Sequence, residues 1–172
     1  MELDDAVRTR RTHKAYGPEP VDAATLTELF DLARWAPNHN LTNPWRFRVV
    51  GPQALAGVKA AAEALAPGSG AKLDRAPTLI VVTSVINEDP QQDTEDLAAT
   101  AVAAYLVLLG AHDRGLAGYW RTPAVLRDAA GRAALGISDD EHTVALLYLG
   151  HARQDQRVPE REPVESIATW LD

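Results

Sequence analysis

The polar residues that could do chemistry are concentrated near the start of the chain. Residues 9–16, TRRTHKAY, place the adjacent arginines Arg10 and Arg11 beside a threonine hydroxyl, a histidine and a lysine. A guanidinium group offers a planar fork of donors that matches the oxygens of a phosphate or a carboxylate. This segment therefore predicts a site for an anion.

The charge of the whole chain limits which anion this site suits. Asp and Glu number 24 against 17 Lys and Arg, so the formal net charge is -7. Nucleic-acid binding usually requires a broad basic face, and a local cluster on an acidic chain instead favours one small phosphorylated ligand. The alternative is that Arg10 and Arg11 complement the C-terminal dipole of a short first helix over residues 3–10. Taken alone, the segment slightly favours this alternative.

Two further polar clusters lie at predicted element boundaries, where ligand sites are commonly built. They are Asn38, His39, Asn40 and Asn43, and Trp120, Arg121 and Thr122. An indole beside a guanidinium can face a flat aromatic ligand with one part and hydrogen-bond it with the other. The simpler alternative for Trp120 is a core aromatic residue.

Several kinds of chemistry lack their residues in this chain. It contains no cysteine, which excludes disulfides, thiolate nucleophiles and cysteine metal sites. Zincin, P-loop and hydrolase motifs do not occur. His112 and His142 have no second metal ligand at useful spacing and are interpreted as structural or solvated. Residues 139–141, DDE, are interpreted as a surface turn and not as a catalytic carboxylate pair.

The elements that must position these clusters follow from apolar periodicity, which predicts an α+β fold in a single domain over residues 1–172. About four strands are expected, with helices packed around them. The predicted helices cover residues 3–10, 21–36, 53–65, 93–112 and 124–135, and the predicted strands cover residues 45–50, 78–84, 116–121 and 143–150.

The helix over residues 93–112 is predicted to be the spine of the core. Its apolar stripe is Leu97, Ala101, Ala104, Tyr105 and Leu108. Its many alanines permit close helix packing and would also suit a dimer interface. Residues 67–70, PGSG, predict a flexible joint. The last 22 residues carry apolar side chains at their far end, which we expect to be buried on this subunit or on a partner.

The N-terminal residues are acidic where a secretory signal would be basic and apolar, and no apolar run of bilayer-spanning length is evident. The sequence therefore predicts a cytoplasmic protein that binds neither a membrane nor a nucleic acid.

Four segments taken in order, RRTHKAYGPEPV, WAPNHNLTNPWRFRVV, GLAGYWRT and VALLYLG, resemble the nitroreductase family of flavin enzymes, especially its short members. The resemblance covers nearly the whole chain. It implies a three-layer fold with a mainly antiparallel sheet, and a homodimer with two active sites at the subunit interface. Each site would hold one non-covalent FMN and use NADPH or NADH as reductant.

The resemblance also implies roles for particular residues. The phosphate, ribityl chain and pyrimidine edge of the flavin would be held by Arg10, Arg11 and Thr12, joined by Lys14. His39 and Asn43 would contact the flavin from the other subunit. A strand end would run along the flavin ring, and a C-terminal arginine would lie near the phosphate. These last residues are Trp120, Arg121, Thr122 and Arg161.

The expected activity is transfer of hydride from NAD(P)H through the flavin to a nitroaromatic, a quinone or another small acceptor, in a ping-pong order. The alternatives are a carrier or sensor that binds flavin or another nucleotide without turnover, and an oxidative member of the same family. Asn43 is one methylene shorter than the glutamine usual in the family. The chain also lacks the insertions that cover the flavin in larger members, so the sequence does not predict the acceptor.

Overall fold

The computed structural model describes residues 1–171 and contains a four-stranded sheet. Its strands are β1 (Trp45–Val49), β2 (Thr78–Val85), β3 (Ala117–Arg121) and β4 (Glu141–Gly150), in the spatial order β1-β2-β4-β3. All neighbouring strands are antiparallel. The predicted α+β class and the four predicted strands are confirmed.

Helices cover both faces of the sheet, which makes three layers. One face carries α2 (Ala23–Ala33) and α4 (Pro90–Asp113), and the other carries α3 (Pro52–Leu65) and α5 (Ala129–Ala134). The first helix, α1 (Leu3–Thr9), lies against α4. Side chains of β2 alternate between the two cores, with Ile80 on the α4 side and Val81 on the α3 side. A strand buried on both faces is apolar throughout, which explains the run TLIVV.

The long helix α4 is the core helix of the fold, but the predicted stripe was partly wrong. Leu97 and Tyr105 are 39% and 36% exposed, whereas Ala104 is buried as predicted and Ala103, outside the predicted stripe, is buried with it. Small side chains let the helix axis approach the strands closely, so the buried stripe is poor in bulky residues. By length and mean hydropathy this helix also passes the criterion for a membrane span, contrary to the sequence reading, yet half of that apolar window is buried in the fold.

The helix predicted over residues 124–135 is interrupted. A 3-10 turn covers Ala124–Leu126, and the chain then becomes extended at Asp128 before α5 begins. The Asp128 carboxylate accepts a hydrogen bond from the Gly131 amide at 3.0 Å, so it starts a new helix as an N-cap. The apolar periodicity continued across this break and concealed it.

The interpretation of residues 139–141 as a surface turn was wrong for Glu141. Its side chain is only 7% exposed and stands at the start of β4. Both carboxylate oxygens accept hydrogen bonds from Arg48, at 2.5 and 2.8 Å. The arginines of β1 differ in their surroundings, because Arg46 is exposed and Arg48 is paired. Val49 is 49% exposed because β1 is an edge strand.

The segment after α3 is tied to the domain. The Glu63 carboxylate accepts hydrogen bonds from the amides of Gly68 and Gly70, at 2.8 and 3.1 Å. A 3-10 turn, Gly70–Arg75, follows and buries Leu73 in the α3-side core. The C-terminal tail, residues 152–171, leaves its apolar side chains exposed instead of packing them in the core. Its large apolar side chains are 64 to 91% exposed; they are Val158, Val164, Ile167, Trp170 and Leu171.

Candidate functional site

A cavity of about 540 Å³ opens where the end of α1, the middle of α4 and the tail meet. Its charged lining is wholly basic and consists of Arg8, Arg10, Arg11 and Arg161. We call this cavity the arginine pocket. Tyr105 of α4 forms part of its wall, and the Arg10 guanidinium lies 6.0 Å from the centre of that ring. Three of the residues predicted for phosphate binding are thus brought together in one chain.

Local structure explains how the arginines reach this position. α1 ends at Thr9, and Arg10 turns the chain into an extended conformation with ψ of 130°. The next residues pair with β3: Thr12 forms a parallel bridge with Gly118, and the His13 amide donates to the Gly118 carbonyl at 3.2 Å. A Cβ at Gly118 would come within 2.6 Å of the end of the Leu108 side chain, so α4 packs closely on β3 here. The basic segment is therefore held at the edge of the sheet beside β3 by one bridge.

The two adjacent arginines are not equivalent. Arg11 donates to the backbone carbonyls of Arg8 and Arg10, at 2.6 and 2.9 Å, and so caps the end of α1. That contact is the helix-end role that the sequence left open. By contrast, the Nε atom of Arg10 is buried and has no hydrogen-bond partner within the described chain. Leaving a buried donor without a partner costs about 1–3 kcal/mol, and more if the donor is charged. An anion in the pocket would offset this cost.

The arginine pocket keeps its positive charge within the described part of the chain. Among residues 1–171, no carboxylate forms an ion pair with Arg10, Arg11 or Arg161. Arg8 has only a loose contact with Asp4, at 3.8 Å between two exposed side chains. A phosphate group carries nearly two negative charges and several acceptor oxygens, so the residues present match its chemistry.

Two histidines lie beside this basic segment. Burial, followed for His112 by the positive charge of Arg10, holds the pKa of His13 and His112 below the usual range. Both are therefore neutral at pH 7. His112 Nε2 lies 2.8 Å from the Thr9 hydroxyl, which ties the end of α1 to α4 and agrees with the structural role expected for this histidine.

The second predicted cluster, residues 38–43, forms a strained loop against the N-terminal end of α4. Three of its non-glycine residues have positive φ: Asn40 at 60°, Leu41 at 52° and Asn43 at 49°. Each such residue costs on the order of 1–3 kcal/mol and persists only where surrounding contacts enforce it. His39 Nδ1 lies 2.5 Å from the Glu95 carboxylate of α4. The hydrogen bond from His39, followed by that from Gln91, holds the pKa of Glu95 below its usual range.

The arginine pocket and this loop are far apart within one chain. His39 contacts Glu95 and the pocket includes Tyr105, ten residues further along α4. At 1.5 Å per residue, the two sites are separated by about 15 Å along the helix. One subunit therefore presents two separate groups of predicted flavin contacts.

The third predicted cluster is divided between the two faces of the sheet. Trp120 packs against the α4-side core. Arg121 donates to the Tyr148 hydroxyl at 2.9 Å and lines a separate cavity of about 180 Å³ on the α3 side. Strand alternation explains the division, because adjacent residues point to opposite faces. Lys14 and Thr122 are exposed and do not line the arginine pocket.

The sequence did not point to all the residues of the pocket. Arg8 and Tyr105 line it, although Arg8 had been read only as part of the first helix and Tyr105 as part of the core stripe. No sequence motif marks either residue.

Within the described part of the chain, no group of three or more His, Cys, Asp or Glu side chains could hold a metal ion.

Comparison with known proteins gives a consistent result. A sequence model described as the nitroreductase family matches residues 7–151. YfhC of Bacillus subtilis, provisionally named an NAD(P)H nitroreductase, is 28% identical over 98% of this chain and 94% of its own length. YdjA of Escherichia coli K12, which has the same provisional name, is 32% identical over 86% of each chain.

Solved structures share the fold. A nitroreductase-like family protein from Bacillus cereus superposes with a TM-score of 0.90 at 22% identity, covering 100% of this chain and 97% of the other. The nitroreductase NfnB from Sphingopyxis sp. strain HMH, described as FMN- and NADPH-dependent, gives a TM-score of 0.82 at 21% identity with both chains fully covered. At these identities the likeness establishes the fold.

Proposed function

Because the chain belongs to the nitroreductase family, we propose that it is an FMN-dependent oxidoreductase. It would pass hydride from NADPH or NADH to a small acceptor such as a nitroaromatic or a quinone. The description of NfnB as FMN- and NADPH-dependent supports this choice of cofactors. The name shared by YfhC and YdjA supports NAD(P)H as the reductant.

The observation that carries this proposal is the buried, unsatisfied Nε of Arg10 in a pocket whose charged residues are all arginines. The pocket requires an anion, and a phosphate matches it in charge and in number of acceptors. Arg161 contributes from the tail, so the pocket combines residues from both ends of the chain. We assign the FMN phosphate to this position.

The chain's own work in the reaction is binding and orientation. The chemistry that bound FMN supplies is the acceptance and release of hydride. Arg10 would bind the phosphate, and Arg11, whose guanidinium bonds to the backbone, would add positive charge beside it. Positive charge near the flavin pyrimidine would stabilise the reduced anionic form. Reductant and acceptor would occupy the same face in turn, which gives the ping-pong order. This division of labour requires no protein nucleophile.

We also propose that the active unit is a homodimer in which His39 and Asn43 reach the flavin bound by the partner. The family resemblance motivates this arrangement, since the arginine pocket and His39 form two separate groups in one chain, about 15 Å apart along α4. An apolar groove of about 450 Å³ between α1, α2 and α4 adds support, because Leu3 and Trp35 in it are 69% and 74% exposed. Apolar patches of this kind commonly mark interaction surfaces, and a second copy would cover them.

The direct test is binding of FMN compared with riboflavin, which has the same ring system without the phosphate. Purified protein is titrated with each ligand while flavin fluorescence is recorded. We expect FMN to bind at least about tenfold more tightly, since riboflavin lacks the phosphate that the arginine pocket would bind. Equal affinities would place the phosphate elsewhere, and failure to bind FMN at all would refute the proposed function.

A further inference from the structure

The strained loop of residues 38–43 is fastened to α4 by one buried carboxyl group. Asp96 is only 2% exposed, and its Oδ1 atom accepts three hydrogen bonds. Two come from the loop, from the Thr42 hydroxyl at 2.6 Å and from the Asn38 amide at 3.2 Å. The third comes from Gln92, one turn earlier on α4, at 2.9 Å.

Gln92 extends this attachment to the predicted flavin contact His39 and to its neighbour Asn40. Its side-chain carbonyl accepts from the Asn40 amide at 2.7 Å, and its amide donates to the His39 carbonyl at 3.3 Å. Gln92 is itself buried, at 8% exposure. Asp96 and Gln92 therefore form one polar unit on α4 that binds the loop along most of its length.

The loop conformation depends on such an attachment. Asn40, Leu41 and Asn43 all adopt left-handed backbone angles, which are unfavourable for residues other than glycine. The loop lies at the domain surface, where Leu41 is 77% exposed, so core packing does not impose this shape. Side-chain hydrogen bonds to α4 are left as its main restraint. Strain held in this way is characteristic of binding sites.

Burial of the Asp96 carboxyl group is unfavourable in itself. The groups that bond to it are two amides and a hydroxyl, and none of them carries a charge. A buried carboxyl group without a cation is costly compared with an apolar side chain of the same shape. For stability of the fold alone, a leucine at position 96 would be at least as favourable as the aspartate. What the aspartate contributes in addition is the set of hydrogen bonds to the loop.

From this geometry we propose that Asp96 is a positioning residue for flavin binding. It holds the loop in the one conformation that presents His39 and Asn43 to the flavin of the partner subunit. The inference rests on the proposed function for its ligand, but the attachment of the loop to Asp96 can be tested without FMN.

The test compares three variants of the full-length protein. Asp96→Leu keeps the shape and removes the acceptor, whereas Asp96→Asn keeps a side-chain oxygen at the same place. The matched control is Thr100→Val, which removes a buried hydroxyl one turn further along α4. That hydroxyl bonds to Ser84 and to the backbone carbonyl of Asp96, but neither to the Asp96 carboxyl group nor to the loop. FMN affinity is measured by fluorescence titration, and amide hydrogen exchange of residues 39–43 is measured in the protein without flavin.

We expect Asp96→Leu to weaken FMN binding at least about tenfold and to speed exchange of the loop amides by a similar factor. The Asn43 amide is the most informative probe, because it donates to the Asn38 side chain at 2.7 Å, and Asn38 in turn bonds to Asp96. Asp96→Asn should restore both quantities to within about threefold of wild type. Thr100→Val should leave both near wild type.

Two results would overturn the proposal. One is wild-type FMN affinity and loop exchange in Asp96→Leu, and the other is an equal loss in Thr100→Val, which would indicate a general effect on the core. If Asp96→Leu does not fold, Thr42→Val replaces it, because Thr42 is exposed and its hydroxyl makes the shortest of the three bonds. Unchanged loop exchange in Thr42→Val would then reject the proposal. Faster loop exchange in a protein that takes up no FMN would refute only the proposed function.

Discussion

The guanidinium group of Arg10 lies 6.0 Å from the centre of the Tyr105 ring, so the chain that leaves α1 is held against the middle of α4. The aromatic ring covers one side of a cation whose Nε atom has no partner within the described chain. This environment distinguishes Arg10 from Arg11, although the two residues are adjacent in sequence. Arg10 is available to bind an anion, whereas Arg11 donates hydrogen bonds to backbone carbonyls.

We expect Arg10→Ala to raise the dissociation constant for FMN about tenfold to a hundredfold, because it removes a charged donor worth roughly 1.5–3 kcal/mol. Fluorescence titration measures this change. Arg127→Ala is the matched control, because Arg127 is exposed and lies outside the pocket. Arg132 would be a poor control despite its place on a short helix, since it bonds to Thr143 and to the backbone of Ser138 and Glu141. Equal affinities of the Arg10 and Arg127 variants would reject the assigned phosphate position.

Arg11→Ala should affect stability more than Arg10→Ala does. Its two hydrogen bonds to backbone carbonyls cap α1, and their loss should cost about 0.5–1.5 kcal/mol of unfolding free energy. Its effect on FMN affinity should be the smaller of the two variants. Urea unfolding of the flavin-free proteins, combined with the FMN titration, separates these contributions. A larger loss of FMN affinity in Arg11→Ala than in Arg10→Ala would contradict the distinct roles given to the two arginines.

A heterodimer tests whether His39 acts across the interface. Arg10→Ala and His39→Ala chains carrying different tags are co-expressed, and the mixed dimer is purified. If each site combines Arg10 of one chain with His39 of the other, one site has both defects and the second has neither. The mixed dimer should then bind about one FMN with wild-type affinity.

The reciprocal dimer is the control for this experiment. A chain with both substitutions is paired with a wild-type chain, which leaves one defect in each site if His39 acts in trans. Tight binding should then be lost at both sites. Tight binding of one FMN by this reciprocal dimer, and of none by the first, would show that His39 acts within its own subunit.

The pair of Arg48 and the buried Glu141 should contribute to the acid sensitivity of the fold. Burial acts to raise the pKa of Glu141, but hydrogen bonds from Arg48, Thr83 and Ser138 outweigh it and leave the pKa below its usual range. A depressed carboxyl pKa contributes stability above about pH 4.5, the ordinary range for glutamate, and that stability is lost as the pH falls through the folded-state value.

Arg48→Met should therefore cost about 3 kcal/mol at pH 7, because it leaves the Glu141 carboxylate buried without its cation. The exposed Arg34→Met is the control, and its surface pair with Asp31 should contribute less than about 1 kcal/mol. Urea unfolding at pH 7 measures both. A loss in Arg48→Met no greater than that of Arg34→Met would show that the buried pair is not important for stability.

The strands and the long helix could be predicted because their signals are local. The run TLIVV in β2 is apolar on both faces, and in β1 arginines alternate with apolar residues, as in a strand with one polar side. The sequence could not reveal that Glu141 is buried, because its partner Arg48 lies 93 residues away. It also could not show the break before α5, where the cap at Asp128 interrupts a continuous apolar pattern.

The candidate site was predictable as a set of residues but not as an arrangement. Arg10, Arg11 and Arg161 were predicted from the resemblance, and they line one pocket. The separation of about 15 Å between this pocket and His39 arises because the arginine segment and the loop of residues 38–43 contact different turns of α4. The spacing of these residues in the sequence does not determine which turn each of them contacts. Likewise, the resemblance placed Trp120 and Arg121 together, whereas strand alternation puts them on opposite faces. Their roles at the flavin remain predictions.

The most direct test of the central claim is anaerobic mixing of the FMN-loaded protein with NADPH or NADH, followed by visible absorbance. We predict that at least one of them bleaches the bound flavin rapidly, and that subsequent addition of a nitroaromatic or a quinone restores the oxidised spectrum. A protein that binds FMN tightly but is bleached by neither nucleotide would be a flavin carrier or sensor, and this result would contradict the assignment as an oxidoreductase.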